Sequence, residues 1–72
     1  MIEDSRKAEI ITVNLKAMGM LLTEALRRAA EAHDYASAGE RNAAIGTLTD
    51  IDVLLEDSLA LYRSALSIHR AR

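Results

Sequence analysis

Seventy-two residues make at most one small domain. Half of them are hydrophobic, yet Tyr35 and Tyr62 are the sole aromatics, and Phe, Trp, Pro and Cys are absent. The lack of Cys excludes a disulfide framework and thiolate metal sites, and a net charge of −2 gives no electrostatic case for nucleic acid or an anionic membrane.

The apolar residues are mainly Ala, Leu, Ile and Met. Ala, Leu and Met are strong helix formers, and the residues that fill strands are scarce. With no Pro and three Gly, the chain has few places to turn. Long helices are therefore expected. No run of about 18 apolar residues exists, so no transmembrane helix is expected. Met1-Ile2-Glu3-Asp4 carries acid where a signal peptide needs base. Together with the missing Cys, this points to a cytoplasmic protein.

A first helix is expected over about 4–37, capped by Asp4 or Ser5. Its apolar series runs Ala8, Ile11, Leu15, Met18, Leu22, Ala25, Ala29, Ala32, Ala36. Steps alternating between 3 and 4 are the heptad pattern of a helix–helix seam. Ile10, Ala17, Leu21 and Leu26 widen the stripe beyond what one partner needs. Asn14 adjoins the stripe, where a polar residue can set register, although simple exposure explains it too.

A turn is expected at about 38–40. Gly39 suits the left-handed position that ends a helix, and Ser37 with Glu40 resembles a capping box. A second helix is expected over about 41–70, with the series Ala44, Leu48, Ile51, Leu55, Ser58, Tyr62, Ala65, His69. A second row, Leu54, Leu61 and Ile68, lies beside it, and Leu59 and Leu66 extend the other edge. An alternative starts this helix near Thr47, because Gly46, Thr47 and Thr49 also read as an interruption.

The expected fold is all-α, one antiparallel two-helix hairpin over 1–72. So short a hairpin buries too little surface to be stable alone. Its stripes ask for more partners than one helix supplies. Dimerisation into a four-helix bundle satisfies them. The expected interface draws on Ile11, Leu15, Met18 and Leu22 of the first helix. From the second it draws on Leu48, Ile51, Leu54, Leu55, Leu59, Leu61, Tyr62, Leu66 and Ile68. Small residues near the turn and large ones near the free ends favour copies with their turns at opposite ends.

The segment Leu61-Tyr62-Arg63-Ser64-Ala65-Leu66 resembles the end of the second helix in Rop-type RNA-binding hairpins. That resemblance implies the same dimeric bundle, with RNA as its partner. Rop-type recognition uses an aromatic, basic face on the first helix. Here that helix lacks Phe, and Lys7, Lys16, Arg27 and Arg28 alternate with Glu9, Glu24 and Glu31. Ile45-Gly46 followed by Leu55, Leu59, Tyr62, Ala65-Leu66 and Ile68 is similar to one tetratricopeptide repeat. Val53 and Arg70 stand where that family has Gly and Pro.

No catalytic, metal or cofactor signature is readable. His33 and His69 lie at opposite ends of a hairpin, and would meet only between antiparallel copies, with Asp34 nearby. Partly exposed histidines are the simpler reading. Asp52 at the stripe edge reads as a solvated rim residue. Arg63, Arg70 and Arg72 read as charges that complement the helix dipole. Met18 reads as core, Met20 as its margin, and Gly19 as a costly residue in mid-helix. The expected function is a non-enzymatic protein-interaction or oligomerisation module, without cofactor. A nucleic-acid-binding regulator is the alternative, and a metal or catalytic site at the dimer seam is the third reading.

Overall fold

A computed structural model describes residues 3–71. The chain forms three helical segments: α1 (Asp4–Ser37), α2 (Arg41–Thr47) and α3 (Ile51–Arg70). No strand occurs among the described residues. α1 packs along both others, so the fold is a hairpin of one long helix and one bent one. It measures 54 × 14 × 12 Å, a rod two helices wide.

Helix α1 covers the expected 4–37, but neither Asp4 nor Ser5 is its cap. Glu3 holds the cap position without a side-chain hydrogen bond, and the Lys7 N–H donates to the Glu3 carbonyl at 2.9 Å. Asp4 and Ser5 therefore lie inside the first turn. There the Asp4 carboxylate still opposes the positive end of the helix dipole.

The turn falls where expected. Gly39 has φ 81°, a conformation that side chains with a Cβ resist. The Gly39 N–H donates to Ala36 O at 3.0 Å and the Glu40 N–H to Tyr35 O at 2.9 Å. This pair of bonds is a Schellman motif, which satisfies carbonyls that the helix end leaves open. The Ser37–Glu40 capping box is not formed: Glu40 itself caps α2, without a side-chain bond.

An unbroken second helix over 41–70 is corrected by an interruption at residues 48–50. Its cause is local. The hydroxyls of Thr47 and Thr49 donate back to Ala43 O (2.9 Å) and Ile45 O (3.5 Å). Thr49 N–H bonds Gly46 O and Ile51 N–H bonds Leu48 O, the tighter three-residue spacing. Gly, two Thr and Asp in close succession supply little helix propensity, so the ladder slips there and restarts.

Three polar contacts define the register between the arms. Lys7 Nζ donates to the Ala71 carbonyl, Asn14 Nδ2 donates to Ser64 Oγ at 3.1 Å, and Arg28 Nη1 lies 3.7 Å from Asp50 Oδ2. Each step forward along α1 in this set is matched by an equal step backward along the other arm, as straight antiparallel pairing requires. Lys7, Asn14 and Arg28 share one heptad position, so the polar line recurs along a single edge of the seam.

The seam is made of small residues. Ala25, Ala32, Ala44 and Ala65 are buried, together with Ser58, whose hydroxyl donates to Leu54 O at 2.7 Å. Among the described residues no large side chain is fully buried. Small contacts bring the helix axes close, but they leave most Leu and Ile side chains only half covered.

Candidate interaction surface

Both helices turn a different edge inward from the one expected. On α1 the inward line is Asn14, Met18, Leu21, Ala25, Arg28, Ala32 and Tyr35, all buried or half-buried. Ile11 and Met18 lean into the seam, whereas Leu15 and Leu22 remain exposed. On α3 the inward line is Leu54, Ser58, Leu61, Ala65 and Ile68, with Ile51 beside it. The row Leu54–Leu61–Ile68, read as lying beside the seam, is thus part of the hairpin's own seam. Leu55, Leu59 and Tyr62 face outward, and Leu48 and Leu66 are half-buried. The reason lies in Ser58 and Ala65. The expected series through Leu55 and Tyr62 and the observed line through Leu54 and Leu61 both contain them, so the period of the pattern does not separate the two. Packing against α1 does.

Among the described residues, six of the ten exposed large hydrophobic residues gather on one side. Successive residues turn by about 100° around a helix. Leu15, Leu22 and Leu26 therefore lie about a quarter turn clockwise from the inward line of α1, seen from its N-terminus. Leu55, Leu59, Tyr62 and Leu66 lie about a quarter turn clockwise from the inward line of α3, seen from its own N-terminus. Because the helices are antiparallel, the same rotation on each reaches the same side of the hairpin. Leu22 is 41% exposed, Leu59 44%, Tyr62 50% and Leu26 70%. On α1 this side carries no charge from Ala8 to Ala30; on α3 Asp52, one heptad before Leu59, stands at its edge, and Leu55, Leu59, Tyr62 and Leu66 follow without a charge among them.

The opposite side is polar. Arg27 Nη2 lies 2.7 Å from Glu24 Oε1 and Arg27 Nη1 lies 3.2 Å from Glu31 Oε2. Arg28 Nε also reaches Glu24, at 3.1 Å. The hydrogen bonds from Arg27 and then Arg28 hold the Glu24 carboxyl down to a pKa of about 2, from an ordinary 4.5. Glu24 in turn raises the Arg27 guanidinium above its usual range. Of the exposed apolar residues on this side, Val53 stands among polar neighbours, whereas Val13 and Met20 join Ile10 and Ala17 in a short row.

The histidines do not meet within one chain. His33 Nδ1 lies 3.5 Å from Asp34 Oδ1 near the turn, with both side chains exposed. His69 lines an open groove at the other end with Asp4, Lys7, Ala8 and Ile11. Asp52 is exposed at the start of α3, and Asn14 is half-buried on Ser64. Arg63 and Arg70 flank Leu66, Ser67 and Ala71 along a shallow groove. Met18 is half-buried, Met20 is exposed, and a Cβ on Gly19 would meet open space. Met1, Ile2 and Arg72, used in the N-terminal and basic-tail readings, lie outside the described residues.

Among the described residues no cluster of three His, Asp or Glu could hold a metal ion, and no helix is long and apolar enough to cross a membrane. Sequence reasoning missed the polar edge formed by Lys7 and Arg28. Its signal was present in the heptad spacing of Lys7, Asn14, Leu21, Arg28 and Tyr35. No protein-family model, curated protein or solved structure matches the chain.

Proposed function

We propose that this chain is a non-enzymatic protein-interaction module whose working form is a homodimeric four-helix bundle. One observation carries the reading: among the described residues the buried core of the hairpin consists of Ala and Ser alone. Four Ala and one Ser, with half-covered Leu and Ile beside them, supply too little burial to offset the conformational entropy of so long a helical rod. The missing burial has to come from a partner. The concave regions support binding by a face rather than catalysis in a pocket. Those at the turn and at the free end of the rod are open grooves, lined among the described residues by residues 39–43, by Arg63, Leu66, Ser67, Arg70 and Ala71, and by Asp4, Lys7, Ala8, Ile11 and His69.

Sedimentation equilibrium at micromolar concentration tests this. The expected mass is twice the 7.9 kDa of one chain. A folded, cooperatively unfolding species at 7.9 kDa would overturn the proposal.

A further inference from the structure

We propose that the second copy docks on one particular side of the hairpin, the side bearing Leu15, Leu22 and Leu26 of α1 and Leu55, Leu59 and Tyr62 of α3. This inference rests on the homodimer reading and adds to it the surface used.

The areas match what a dimer needs. The single chain exposes 5497 Å². A compact monomer of 7.9 kDa would expose about 4,400 Å². The excess is about 1,100 Å², and a standard protein interface covers about 800 Å² on each partner. The apolar stretch from Ile11 to Leu26 is about 22 Å long at 1.5 Å per residue, and it is two helices wide. A face of that shape fits a second two-helix rod, and stacking two such rods produces four helices around one core.

The chemistry selects a second copy of this chain as the occupant. A two-fold interface places each patch against itself, so any charge at its centre would meet its own like. The centre of this side, around Leu15, Leu22, Leu55, Leu59 and Tyr62, has no charge, and Asp52 stands at its rim level with Leu26. The opposite side carries Glu24, Arg27, Arg28, Glu31 and Asp50, already paired within the chain. Burying that side would desolvate charges without giving them new partners. The row Leu54, Leu61 and Ile68 is occupied by the hairpin seam and is not free for a second copy.

Glutamate substitutions on the two sides separate the alternatives. Leu22→Glu and Leu59→Glu place an unpaired charge in the proposed contact and are expected to weaken dimerisation by at least about 100-fold. Met20→Glu and Val53→Glu, on the other side, are expected to change it by less than about 3-fold. The reverse ranking would overturn this surface while leaving the homodimer reading intact. A wild-type chain that is a stable monomer would overturn both. Should the Leu variants unfold, isotope-filtered NMR on mixed labelled and unlabelled wild-type protein decides. Intermolecular methyl contacts are expected from Leu15, Leu22, Leu55 and Leu59. Such contacts from Val13, Met20 and Val53 in their place would overturn the assignment.

Discussion

Gly39 shows how much one residue contributes to the hairpin. Its φ of 81° is open to glycine and costly for others, although a Cβ there would meet no neighbouring atom. Gly39→Ala is therefore expected to destabilise the fold by about 1–2 kcal/mol through the backbone alone. Asn tolerates the left-handed region better, so Gly39→Asn should recover part of that loss in chemical denaturation. Glu24 makes a different prediction. Its folded pKa of about 2 lies below the ordinary 4.5, so its pairing with Arg27 and Arg28 stabilises the fold above pH 4.5. That contribution falls away as the pH drops from 4.5 through 2. The group is exposed, so the effect is small and weakens in salt. NMR titration of the Glu24 carboxyl should show a midpoint below 4.5, and Glu24→Gln should flatten the acid limb of the stability curve.

At the scale of elements, the interruption at residues 48–50 arises from competition between two local programmes. Apolar residues on both flanks favour one continuous helix, and the Gly46-Thr47-Leu48-Thr49-Asp50 segment opposes it. Gly46 keeps ordinary negative φ and has open space around its Cβ position. Gly46→Ala is expected to stabilise the protein by about 0.4–1 kcal/mol, chiefly by restricting the unfolded chain. Thermal unfolding would check this, and far-UV circular dichroism should show more helix. A loss of stability would mean that packing against α1 requires the bend. Between elements, the Lys7, Asn14 and Arg28 contacts act as register marks on an otherwise sliding Ala-rich seam. They do so because a misplaced polar group at a half-buried edge loses its hydrogen bond.

At the scale of the molecule, the rod leaves more area exposed than a protein of its mass normally does. If folding and dimerisation are coupled as proposed, stability depends on protein concentration by mass action. The thermal midpoint is expected to rise by several degrees between about 1 and 100 µM, because that range adds up to about 2.7 kcal/mol to the folded dimer. A midpoint independent of concentration would count against the coupling. The Leu22→Glu variant should show both a lower midpoint and less helix, since its hairpin would lose the second half of its core.

The sequence by itself determined the class of fold, the number of arms and the place of the turn. Those features are local. Helix propensity, a 3–4 apolar repeat and a glycine able to reach positive φ act within a few residues of themselves. The interruption after Thr47 was visible too, as a competing possibility between Gly46 and Asp50. Which edge of each wide stripe faces the other helix was decided in three dimensions. Leu54 and Leu55 are adjacent in the chain, as are Leu61 and Tyr62, and each pair supplies one member to either row. The two rows are therefore almost equally apolar as patterns. The choice depended on fitting Ser58 and Ala65 closely against α1 while giving Lys7, Asn14 and Arg28 partners across the seam. That choice left Leu22, Leu59 and Tyr62 outside, where the sequence had shown a stripe too wide for one partner but not which part of it stayed open.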